Sequence, residues 1–184
     1  MAFGLIGWLL VIVAVILVIY LFSVINRFTR YSNAIDNAWA QIDVQLQRRG
    51  ELIPNLVETV KGYAAHEKST FQAVSDARAR MVGASSPQEK MDANNVLGQA
   101  LGRLFAISEA YPELKANTNF LQLQDELSHT ENKVSFARQN YNDSVLRYNN
   151  AIGTYPGKFF AGSRTPKQML AVPEASKAVP VVKF

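Results

Sequence analysis

The chain has 184 residues, 48% of them apolar, no cysteine and a net charge of +4. Without a thiol it can form neither a disulfide framework nor a thiolate metal site. The positive excess sits in residues 155–184, where Lys158, Arg164, Lys167, Lys177 and Lys183 stand against Glu174 alone. Basic and acidic side chains balance over residues 27–154, so a basic nucleic-acid surface on the folded part is not indicated.

Residues 1–26 carry no charged side chain, and the stretch from Leu5 to Ile25 is almost wholly apolar. As one helix it is long enough to cross a hydrocarbon core about 30 Å thick. A cleaved signal peptide would need a positive n-region and a small-residue cleavage site. Here no Lys or Arg precedes the apolar run, and Ser23-Val24-Ile25-Asn26-Arg27 follows it in place of an Ala-x-Ala pattern. The segment reads as an uncleaved anchor. Cations are retained on the cytoplasmic side, and Arg27, Arg30, Arg48 and Arg49 all follow the span. The expected orientation is N-terminus outside, domain in the cytoplasm.

After the span the pattern is helical. Phe28, Tyr31, Ile35, Ala38, Ile42, Leu46, Ile53, Leu56, Val60 and Tyr63 alternate in steps of three and four, with Arg49 filling one slot. That is the buried stripe of a long amphipathic helix over about 27–64. Pro54 lacks a backbone donor and its ring presses on the carbonyl of Gly50, so a kink is expected across 50–54. Residues 62–67 offer a corner, and a shorter stripe follows through Phe71, Val74, Ala77 and Met81. Ser86, Pro87 and Glu89 then form the start of a capping box. The next helix would bury Leu97, Ala100, Leu101, Leu104, Phe105 and Ser108 and stop before Pro112. The last would bury Phe120, Leu123, Leu127, Thr130, Val134, Ala137, Tyr141, Ser144 and Tyr148, ending at Gly153, Pro156 and Gly157.

These elements describe an all-α protein with a transmembrane anchor (1–26), a cytoplasmic helical bundle (27–154) and a basic, proline-containing tail (155–184). Short connections favour an antiparallel up-down four-helix bundle. At 1.5 Å per residue the two long helices run about 60 Å and the two short ones about 26 and 36 Å. The short pair then covers only the distal part, and a two-helix stalk keeps apolar surface. Tyr31, Ile35, Trp39, Val134 and Tyr141 are accordingly the candidate self-association residues. A competing arrangement is a long kinked hairpin, with 27–84 as one helix and 87–152 as its partner.

An up-down path returns residue 152 to the membrane end. The tail there offers Phe159 and Phe160 as apolar insertions, with Lys158, Arg164 and Lys167 as candidate contacts to the membrane surface. Each cation near an anionic leaflet contributes about 1 kcal/mol. Pro166, Pro173 and Pro180, and the spread of the charges, suit a solvated tail equally well.

Little points to chemistry. His66 and His129 are the only histidines, and neither shows a second metal ligand at helical spacing. Asp125 and Glu126 read as a solvated face. Gly98 and Gly102 lie in helical rhythm with no phosphate-cradling pattern, and no serine sits in a nucleophile elbow. No catalytic, cofactor or metal residue is assigned, and an enzyme, a nucleic-acid partner and a small-molecule substrate are not expected.

Two blocks say more. Asp36-Asn37-Ala38-Trp39-Ala40-Gln41-Ile42-Asp43-Val44-Gln45-Leu46-Gln47-Arg48-Arg49, continuing through Leu52-Ile53-Pro54-Asn55-Leu56-Val57-Glu58-Thr59-Val60-Lys61-Gly62-Tyr63, resembles the signature of the LemA family. So does Glu109-Ala110-Tyr111-Pro112-Glu113-Leu114-Lys115-Ala116-Asn117 with Phe120-Leu121-Gln122-Leu123-Gln124. The likeness covers about residues 1–160. It implies a bacterial four-helix bundle on one membrane anchor, favours the bundle over the hairpin, and implies no established reaction. Some relatives of the family look like magnetosome membrane proteins, which implies membrane organisation as one role. Asn37, Gln41, Asp43, Gln45, Arg48 and Arg49 outnumber one core stripe. They read either as inter-helix hydrogen bonding or as a contact surface.

The function expected is that of a non-enzymatic, self-associating scaffold or membrane-organising protein at the cytoplasmic face of a bacterial inner membrane. The alternative is a monomeric, membrane-tethered adaptor for a signalling or membrane complex. Partners would be the lipid bilayer, a second copy and an unidentified protein.

Overall fold

A computed structural model describes residues 2–171, with side chains from residue 6 onward. The described chain is all-helical. It comprises α1 (Ala2–Lys61), α2 (Lys68–Gly83), α3 (Pro87–Ser108), the one-turn α4 (Pro112–Lys115), α5 (Thr118–Gly153) and the one-turn α6 (Gly157–Phe160). The N-terminal part of α1 is long and apolar enough to cross a membrane. Its large side chains, among them Trp8, Leu10, Ile12, Ile16 and Phe22, are exposed rather than folded into a core.

α1 stays helical through Pro54. Proline leaves the carbonyl four residues earlier without its helical donor. That carbonyl belongs to Gly50, and Arg78 Nε of α2 donates to it at 2.6 Å. The lost backbone bond is thus replaced from a neighbouring helix. Gly50 faces α2, where a Cβ would meet Met81 Cε at 3.4 Å, an ordinary contact.

α3 opens on the expected capping box. The Ser86 side chain accepts from the Glu89 N–H while the Glu89 carboxylate accepts from the Ser86 N–H. The expected last helix is in fact two, because Asn117 interrupts it. Its Oδ1 accepts from the Phe120 N–H at 3.0 Å, capping α5, and its Nδ2 donates to the Tyr63 hydroxyl at 3.0 Å. The hairpin arrangement required helix through 62–67 and through 109–117. Both segments are interrupted, and the hairpin is excluded.

The contacts divide the chain into two units, and α1 and α5 contribute a segment to each. One unit holds the residues up to Ala38 together with Asn140–Met169; the other holds Trp39–Gln139 with Leu170 and Ala171. In the second unit α2 and α3 pack on each other. Lys90 Nζ of α3 reaches Asp43 Oδ1 of α1 at 2.5 Å, and Arg48 Nη2 of α1 meets Glu126 Oε2 of α5 at 2.7 Å. Its apolar stripes follow the expected rhythm: Ile42, Leu46, Ile53 and Leu56 are buried, as are Phe71, Val74, Ala77 and Met81.

The first unit corrects the stalk. Ile35 is 5% exposed and Tyr141 8%, buried with Phe28, Val145, Tyr148 and Ile152. The chain beyond α5 folds back in the same unit, where Gly157 and Ala161 are buried. In α5 the buried residue is Val145, not Ser144, whose hydroxyl instead donates to the Asn140 carbonyl at 2.8 Å. Val134, in the second unit, is 1% exposed. The premise that Ile35, Val134 and Tyr141 are left uncovered therefore fails, while Tyr31 and Trp39 are half-buried.

Candidate functional site

Each unit holds one cluster that is more than apolar packing. In the second unit the cluster is built on Arg49, which sits at a core position of the α1 stripe and is 4% exposed. Arg49 Nη1 donates to Asn94 Oδ1 of α3 at 3.0 Å and pairs with the Glu131 carboxylate of α5. Burial lowers its pKa from 12.5 to about 10, so it stays charged at neutral pH. Its Nε has no partner, and neither has the buried Gln45 Oε1 one turn earlier. With Asp43–Lys90 and Arg48–Glu126, this places much of the polar block 37–49 in bonds between helices. Asn37 and Gln41 are exposed instead. The chemistry such a cluster performs is alignment of α1, α3 and α5, because a misaligned helix would strand a buried charge.

The first unit carries the other cluster, where the chain leaves the apolar segment. Gly157 allows the approach that makes it. A Cβ at this position would overlap the Ala151 carbonyl oxygen and stand 3.4 Å from the Phe28 ring. Phe28 lies just past the apolar run, so α6 is brought to the end of the span. Tyr155 and Phe159, 67% and 75% exposed, pack together with centroids 4.8 Å apart and ring planes tilted by 50°. Lys158 Nζ lies 5.8 Å from the Tyr155 centroid.

The five membrane-surface candidates separate here. Lys158 and Phe159 face solvent, and Phe160 is half-buried. Arg164 is exposed too, with its guanidinium 5.2 Å over the Phe28 ring and its Nη1 donating to the Ala161 carbonyl at 3.3 Å. Lys167 is held by its backbone: its N–H donates to Asn149 Oδ1 at 2.8 Å and its carbonyl accepts from Asn149 Nδ2 at 2.9 Å. The rest of the tail, with Lys177 and Lys183, lies outside the described residues. Tyr155 escaped the sequence reading, although its spacing of four from Phe159 was the available signal.

One smaller correction concerns His129. Asp125 does stand at helical spacing, with Oδ2 3.4 Å from His129 Nε2, and both side chains are largely exposed. Among the described residues no three acidic or histidine side chains converge on a metal-sized site.

The family model described as LemA family matches residues 38–184. The chain belongs to the LemA family. Magnetosome protein MamQ of Magnetospirillum gryphiswaldense is 27% identical over 174 residues, covering 79% of this chain and 64% of the relative. Magnetosome protein MamQ 1 of Paramagnetospirillum magneticum is 26% identical over 162 residues, covering 74% and 60%. Protein LemA of Metamycoplasma hominis is 28% identical over 134 residues, covering 71% and 60%. The chain thus spans less than two thirds of the length of these curated relatives. Neither the LemA name nor the MamQ name is that of an enzyme. Together with the apolar part of α1, the relatives make this LemA-family chain a membrane-associated protein.

Proposed function

We propose that this LemA-family chain is a non-enzymatic, single-pass membrane protein that works by binding, as a tethered adaptor at the cytoplasmic face of a bacterial inner membrane. Its second unit is an up-down four-helix bundle presented to a protein partner. The observation that carries this reading is the cover over the first unit. With Ile35 and Tyr141 buried by their own chain, most of the large exposed apolar side chains beyond the span belong to the second unit. They are Val44, Tyr63, Val82, Val96, Leu121 and Phe136, against Leu146, Tyr155, Phe159 and Met169 in the first unit. The charge asymmetry around the span supports the orientation.

A second reading, a self-associating membrane-organising scaffold, is favoured by relatives named as magnetosome proteins. It would need a surface other than Ile35, Val134 and Tyr141. Crosslinking of the full chain in intact bacterial membranes separates the two. The adaptor predicts a discrete adduct with another protein that Phe136→Asp or Val82→Asp removes. A ladder of multiples of this chain alone would overturn it in favour of the scaffold. Because the chain has no cysteine, Val82→Cys provides a unique label. A membrane-impermeant maleimide should reach it only after the membrane is opened.

A further inference from the structure

The geometry points to an anionic-phospholipid contact at the base of the first unit, made by Arg27, Arg30 and Lys158 beside the Tyr155–Phe159 pair. It rests on the reading that the apolar part of α1 crosses a membrane. Depth is the first argument. Leu5 to Ile25 matches a hydrocarbon core about 30 Å thick. Phe28 is three residues further, about 4.5 Å along the helix axis. Headgroups occupy roughly 5–7 Å on each side of the core, so Phe28 falls within that layer. Gly157 packs against Phe28, and Tyr155, Lys158 and Phe159 lie within two residues of it.

The second argument is chemical. An exposed tyrosine beside an exposed phenylalanine suits the headgroup boundary, where aromatic rings of membrane proteins concentrate. Between residues 2–35 and 144–171 the chain carries Arg27, Arg30, Arg147, Lys158, Arg164 and Lys167, and no Asp or Glu. Arg27 and Arg30 are exposed and three residues apart, which places them on one side of α1. Arg164 is exposed as well, and its guanidinium lies over the Phe28 ring, which adds a further cation at this level. A cationic, aromatic surface at headgroup depth with no carboxylate of its own is complementary to phosphodiester anions.

The test uses the full chain in detergent, equilibrated with equal amounts of phosphatidylglycerol and phosphatidylcholine, with retained lipids counted by native mass spectrometry. Wild type should retain phosphatidylglycerol preferentially. The substitutions Arg27→Gln, Arg30→Gln and Lys158→Gln should each reduce that preference by about fivefold. Arg103→Gln, an exposed arginine of the second unit, should preserve it. Equal retention of the two lipids by wild type would overturn the contact, as would a loss with Arg103→Gln matching that with Lys158→Gln. Alkaline carbonate extraction of the same membranes distinguishes the failures. A chain that is extracted defeats the spanning reading, whereas one that stays and shows no preference defeats the lipid contact alone.

Discussion

Pro54, Gly50 and Arg78 act as one device. Proline removes the donor for the Gly50 carbonyl, and Arg78 Nε supplies another at 2.6 Å. A partly buried carbonyl that loses its partner costs about 1–2 kcal/mol. Arg78→Ala should therefore destabilise the chain by about that amount, read from urea unfolding in mild detergent. In a Pro54→Ala background residue 54 regains an N–H for Gly50, and the same substitution should cost distinctly less. Equal costs in the two backgrounds would show that the arginine stabilises by some other route. Sequence reasoning identified the strained carbonyl, but the donor lies 28 residues away and no local pattern announces it. Arg49 is the converse case: its place in the apolar stripe was visible, and its partners Asn94 and Glu131 were not.

Among the helices, α3 has the start best defined by local sequence, and this gives it a pH dependence. Glu89 is held below its ordinary pKa of 4.5, first by the Ser86 backbone N–H and then by that of Ser85. A carboxylate depressed in the folded state contributes stability above its unfolded pKa and loses it as pH falls through the lowered folded value. Amide exchange at the start of α3 should accordingly quicken as pH drops from about 5 to about 3 once the intrinsic rate is removed, and the Glu89→Gln variant should not respond. A wild-type profile as flat as the variant's would mean that the carboxylate does not govern this end. The break between α4 and α5 was not foreseen, since Asn117 in a run of helix formers becomes a cap only when Phe120 and Tyr63 are at hand.

For the molecule as a whole, the folded-back segment beyond α5 changes what substitutions in the first unit should do. Ile35 and Tyr141 are core residues, and burial followed by Asp36 raises the Tyr141 phenol above its ordinary 10.0. An aspartate at either position would be an unpaired buried charge, costing several kcal/mol, and at 141 it would also face Asp36. Ile35→Asp and Tyr141→Asp should thus make the segment after α5 protease-sensitive and lower the unfolding midpoint, with no change in particle mass by light scattering. A fall in mass with folding intact would restore these residues to an interface between copies.

The apolar span, the helical content, the stripe phases through α1 and α2, and the capping box could all be read without a structure. Each depends on residues within a few turns of one another, where the 3.6-residue period and the four-residue hydrogen bond act directly. The family likeness lay in two contiguous blocks and was legible for the same reason. Folding was needed to close the first unit. Gly157 and Arg164 find Phe28, and Asn149 finds Lys167, only when the chain returns along the helices already formed. That return set Gly157 and Arg164 against Phe28, at the end of the span. Burial is a property of what comes to lie alongside, and periodicity along one helix does not contain it.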